Sequence, residues 1–177
     1  MIKTKRQSTL LFALALACFA SPVAARGVYL PPAEFIQASF GQTDKKPKVL
    51  WLSAEIQKSI KTILGHNYPT LRLRYWQEQQ RTAWILEEIG KEKPITFGIV
   101  VNENKIEQLN VLIFRESRGG EIRYPFFTKQ FKNLALNQRM ELNGHIDGIS
   151  GATLSVRASK KLARLALYLH NQVTGPP

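Results

Sequence analysis

Between Thr70 and Phe114 the chain sets four strand-like runs one after another, separated only by short polar turns. "TLRLRYWQ" alternates Leu71, Leu73 and Tyr75 with Arg72, Arg74 and Trp76, the period-two pattern of a half-buried strand. "RTAWILEEIG" and "PITFGIVVN" are rich in β-branched and aromatic residues, which fit a pleated surface. "NENK", residues 102–105, reads as a turn, and "KIEQLNVLIF" returns as the second arm of a hairpin. Links this short have no room for a crossover helix, so the sheet is expected to be mainly antiparallel.

Helical patterns flank the strands. In "SAEIQKSIKTILG", Ile56, Ile60, Ile63 and Leu64 recur at helical spacing, Ser53 can cap the start and Gly65 can end it. "PFFTKQFKNLAL" spaces Phe127, Phe131 and Leu134 for a short helix. The last helix is expected from about Ser155 to Gln172. Leu162, Leu165, Ala166, Leu169 and Val173 share one face, with Arg157, Lys160, Lys161 and Arg164 largely on the other. This order predicts one α+β domain, a mainly antiparallel sheet with helices packed on it and a long C-terminal helix. Residues 51–177 form that domain, and residues 26–50, with Pro31, Pro32, Gly41 and Pro47, read as an extended lead-in. No βαβ alternation carries a GxGxxG turn, which argues against a dinucleotide-binding unit.

The first 25 residues have the pattern of a secretory signal. Lys3, Lys5 and Arg6 precede an apolar run from Leu10 to Ala20, and "SPVAAR" offers Val23 and Ala25 before a cut. The run is too short to span a bilayer. Cleavage after Ala25 is expected, which makes the mature chain exported and periplasmic, soluble or peripherally membrane-associated. Cys18, the single cysteine, leaves with the signal, and disulfides, thiolate metal sites and cysteine nucleophiles leave with it. His66, His145 and His170 are far apart and lack metal-ligand spacing, so no metal site is predicted. The formal charge of +12 loses three positive charges at cleavage and stays strongly basic. Export argues against nucleic acid as the partner, and leaves anionic membrane or an acidic protein.

The stretch "DGISGATLS", Asp147 to Ser155, gathers small polar residues where the last helix begins. Thr153 or Ser155 can act as the N-cap. Gly151 and Ala152 keep side-chain bulk away from the first amides, and free amides with the positive end of the helix dipole suit a phosphate. By itself the pattern fits an anion site or an ordinary capped helix.

The order and spacing of Asp147, Ser150, Gly151, Ala152 and Thr153 resemble the Asp-x-x-Ser/Thr-Gly-Ala-Thr motif of the FMN-binding domain family. That family includes FMN subunits of sodium-translocating NADH:quinone reductase and of Rnf complexes. A looser likeness lies in "RESRGGEIRYPFFTKQFKN", where Glu116, Ser117, Gly119 and Gly120, then Gln130, Phe131 and Lys132, are similar to a family loop and helix. The proline of that loop is missing here and its glycines are adjacent. The likeness covers roughly residues 80–172.

The resemblance implies FMN joined covalently to Thr153 through a phosphoester, installed by an FMN transferase that uses FAD. Asp147 would serve that transfer, Ser150 and Ser155 would hold the phosphate, and Glu116 and Ser117 would lie near the ring system. Such a protein relays electrons between a donor and an acceptor yet to be identified, one of them a membrane-bound reductase, rather than acting as a stand-alone enzyme. Arg72, Arg74, Arg115 and Arg118 are candidates for positive charge beside the ring, and Trp76, Trp84, Tyr124 and Phe126 for stacking on it. Two other readings stay open: a module that binds FMN or another anion non-covalently, and a basic protein that attaches to membrane through its last helix.

Overall fold

The computed structural model describes residues 27–42 and 44–175; the expected signal segment, with Cys18, lies outside them. Five strands follow one another in sequence and in space: β1 (Lys48–Trp51), β2 (Arg72–Glu78), β3 (Arg81–Ile89), β4 (Pro94–Asn102) and β5 (Lys105–Phe114). Every neighbouring pair is antiparallel, the arrangement that the short links predict for β2 to β5; β1 joins β2 in the same sense across a longer connection that holds α2. The β4–β5 hairpin turns on Glu103 and Asn104, both at positive φ, as a two-residue turn matched to strand twist requires. The four expected strands are all present, and β1 is an additional edge strand.

Helices cover both faces of this sheet. α1 (Pro32–Phe40) lies within the stretch expected to be extended. Its prolines start the helix rather than break it: Pro31 is the N-cap and Pro32 takes the first helical position, where no amide is needed. Gly41, at φ 67°, closes it. Phe35, Ile36 and Phe40 of α1 pack with Ala83, Val100 and Leu112 on one face of the sheet. Gly98 makes room there, since a Cβ at that position would stand 2.8 Å from the Phe35 ring.

The opposite face carries the larger core. α2 (Ala54–Leu64) starts and stops where its sequence predicts: Ser53 Oγ accepts from the Ile56 amide at 3.3 Å, and Gly65 ends the helix at φ 84°. α3 (Pro125–Thr128) continues into a short 3-10 turn over Lys129–Phe131. α4 (Thr153–Thr174) lays Leu162, Leu165, Ala166 and Leu169 against Trp84, Leu86, Phe97 and Ile99 of the sheet. That apolar face is fully buried, which overturns the reading of α4 as a membrane-binding helix. No helix among the described residues is long and apolar enough to cross a membrane.

One polar thread runs through the core. Trp84 Nε1 donates to Thr82 Oγ1 at 2.9 Å, and Thr82 Oγ1 meets His170 Nδ1 at 2.8 Å. The Asn104 amide donates to His170 Nε2 at 3.4 Å, tying the β4–β5 turn to the end of α4. Burial pushes the His170 pKa down to about 4, so the ring is neutral at ordinary pH.

Candidate functional site

The motif residues make a tight turn and then a helix. The Ala152 amide donates to the Ile149 carbonyl at 3.0 Å, closing a turn with Gly151 at φ 79°, a backbone region that side chains rarely enter. α4 begins directly afterwards, two residues earlier than expected. Its N-cap is Ala152, and no side chain caps it, so neither Thr153 nor Ser155 plays the capping part. Val156 N donates to Ala152 O at 2.9 Å as the first helical bond, which leaves the amides of Thr153, Leu154 and Ser155 ahead of the ladder. Thr153 is exposed as the first helical residue, and Ser155 is buried beneath the loop that follows β5.

That loop approaches the helix start through a glycine. Gly119 holds φ 83°, and a Cβ there would lie 2.8 Å from Ser155 Oγ and 3.3 Å from the Ala152 Cα. The adjacent glycines therefore still let the loop lie against the motif without the family's proline. A 3-10 turn over Gly120–Arg123 leads from it into α3. Gln130, in the 3-10 turn that follows α3, reaches back: its Oε1 accepts from the Asp147 amide at 2.7 Å. The two regions that carry the resemblance are thus hydrogen-bonded to each other. Asp147 itself is exposed, with its carboxylate 3.3 Å from His145 Nε2.

A cleft of about 580 Å³ opens between loop and helix, lined by Lys91, Glu116, Ser117, Arg118 and residues 151–155. This lies within the usual range for small-molecule sites. Thr153 also borders a second recess of about 280 Å³, with Gly148, Val156, Arg157 and Lys160. The threonine stands between two basic walls, Lys91 with Arg118 and Arg157 with Lys160. Nothing would crowd a Cβ at Gly151, so the turn leaves the approach open. Exposed hydroxyl, uncapped amides and flanking cations together fit a phosphate-bearing cofactor such as FMN.

Of the residues expected at the site, Glu116, Ser117, Gly151, Ala152, Thr153 and Ser155 line this one cleft. Ser150 and Asp147 sit in the exposed approach and do not line it. Glu116 arrives with its carboxylate already engaged: Oε1 accepts from the amides of Lys91, Glu92 and Lys93 at 2.5, 2.7 and 2.9 Å. Partial burial acts to raise its pKa, but these amides and the Lys91 charge outweigh it and hold the carboxyl below its ordinary value.

Of the arginines, Arg118 alone lines this cleft. Arg115 instead binds the Pro94 carbonyl and Thr96 Oγ1. Trp84 is removed from the stacking candidates by complete burial against Tyr75, and Trp76 by its packing toward α1 and its bond to the Lys45 carbonyl. Tyr124 and Phe126 remain exposed. Lys91 and Leu154 are the cleft residues that the sequence did not single out: Leu154 sits inside the motif stretch as an apolar residue, and Lys91 belongs to the β3–β4 turn, distant in sequence from the motif.

Residues 90–168 match the family model of the FMN-binding domain. The resemblance carried by the Asp147–Thr153 motif is supported by this match, and with it a flavin-binding role and FMN as the cofactor. The matched stretch begins at the β3–β4 turn, holds β4, β5, the loop and most of α4, and so contains every residue that lines the main cleft. No curated protein matches the chain.

Proposed function

We propose that the chain is an exported flavoprotein that carries FMN covalently on Thr153 and relays electrons in a periplasmic or membrane-associated redox chain. The observation that carries this reading is the position of Thr153. It is an exposed hydroxyl on the first residue of α4, between two basic recesses and beside uncapped amides.

When bound, the flavin supplies chemistry that accepts and donates one or two electrons. The chain's own residues hold it. Amides 153–155 and the positive end of α4 offset the charge of the phosphodiester, and Gly151 and Gly119 keep side chains out of its way. Lys91 and Arg118 place positive charge along the cleft, which favours the reduced, anionic form of a ring lying there.

Among the described residues, no side chain hydrogen-bonds the Thr153 hydroxyl and could serve as its base. The attachment therefore needs an outside FMN transferase with FAD as donor. The Thr153 oxygen attacks the phosphorus of the FMN half, the bond to the AMP half breaks, AMP leaves, and the hydroxyl proton passes to a base of the transferase. Asp147, exposed beside this approach, is available to that enzyme rather than to the cleft. A covalent tether keeps the cofactor from diffusing away after export.

The test is a denaturing gel of protein matured with the transferase present, viewed under ultraviolet light. Yellow fluorescence that stays with the band and is lost in Thr153→Ala is expected. Flavin that separates from the denatured band would replace the reading with that of a non-covalent FMN module. A colourless native protein would overturn both.

A further inference from the structure

Glu116 does not point a free carboxylate into the cleft that it lines. A single oxygen takes three successive amides of the β3–β4 turn. The turn is shaped for this: a Cβ on Gly90 would stand 2.9 Å from that same oxygen. The hairpin is also tied internally, with the Gly90 amide donating to the Lys93 carbonyl at 3.1 Å. The residue presented by the clamped turn is Lys91, which lines the cleft together with Thr153. Its ammonium is 3.3 Å from Glu92, an exposed pair that is worth little in water.

We propose that Glu116 is a positioning residue: it clamps the 90–93 turn so that Lys91 faces the helix start, where Lys91 sets the charge felt by the bound flavin. The carboxylate is the fitting group for this, since an anion accepting several backbone amides orders a turn more firmly than a neutral acceptor. The ionised state of Glu116 agrees with it, because the same amides lower its pKa. The clamp stands on the turn and loop geometry alone, whereas the part played by Lys91 rests on the flavin reading given above.

Two measurements separate these halves. The first is amide hydrogen exchange at residues 91–93 in the full, flavin-free chain. Glu116→Ala is expected to speed exchange there at least ten-fold, with Glu116→Gln intermediate and the amides of α4 unchanged. Equal exchange in wild type and both variants overturns the clamp. The second is the flavin midpoint potential of protein loaded by the transferase. Lys91→Ala is expected to lower it, Glu116→Ala to lower it in the same direction, and the double variant to go little beyond Lys91→Ala.

Such non-additivity marks two residues acting as one unit. Full additivity, or no shift in Lys91→Ala, overturns the assignment while leaving the flavin reading intact. A wild-type chain that takes up no flavin removes the flavin reading and the Lys91 role together, and the exchange data still decide the clamp. Glu116→Gln serves for both measurements should the alanine variant fail to fold.

Discussion

A hydrogen in place of a methyl group at Gly119 decides how close the loop after β5 can come to the helix start. Two penalties meet there, the positive φ and the contact with Ser155 Oγ and Ala152. Gly119→Ala is expected to cost about 1–3 kcal/mol, measured by urea unfolding, because strained backbone and overpacking add. It should also reduce the flavin loaded per chain. Thr153→Ala is the contrast: the side chain is exposed and caps nothing, so stability should change by less than about 0.5 kcal/mol even as covalent flavin is lost. Individual contacts are also what the sequence encodes least openly. Glu116 was legible as a member of the site, but the three amides that occupy it come from the β3–β4 turn, and no local pattern announces that pairing.

At the scale of elements, local rules and tertiary demands agree for α2 and diverge at α1. Ser53 and Gly65 bracket α2 as helix-capping chemistry requires, and Ser53→Ala is expected to cost about 1 kcal/mol in thermal or urea unfolding. In α1 the doubled proline reads as a breaker until the helix is seen to start on it. What stabilises this short helix is the seat of Phe35, Ile36 and Phe40 on the sheet, which period alone could not supply over nine residues. The start of α4 shows the same divergence: two plausible capping hydroxyls are present, and the turn at Gly151 places the cap on Ala152 instead.

For the whole molecule, α1 lies outside the stretch that matches the FMN-binding domain, yet its side chains close one face of the same sheet. Phe35 is completely buried, and Phe35→Ala is expected to cost about 3–5 kcal/mol in chemical denaturation. A loss below 1 kcal/mol would mean that α1 is an ornament rather than part of the fold.

The buried His170 also gives the fold a pH dependence. His170 titrates near 6.5 in the unfolded chain and near 4 when folded, so between these values the unfolded state binds a proton that the folded state refuses. Stability must then fall as pH drops through that window, by roughly 3 kcal/mol at its lower end, and stay level above it. Urea midpoints from pH 7 to pH 4 test this, and His170→Gln should flatten that part of the slope.

Strands β2 to β5, their antiparallel order, the helix that packs on them and the threonine at that helix's start are legible in the chain alone. Each is encoded within a few neighbouring residues, as periodicity, a turn pair or a short motif. The groups that surround Thr153 are not legible in this way. Lys91, Glu116 and Gly119 come from the β3–β4 turn and the loop after β5, and Gln130 holds the motif's approach from the 3-10 turn after α3. Contacts between segments so far apart in the chain depend on how helix, sheet and loop close on one another, and that closure is set by the packing of the whole core.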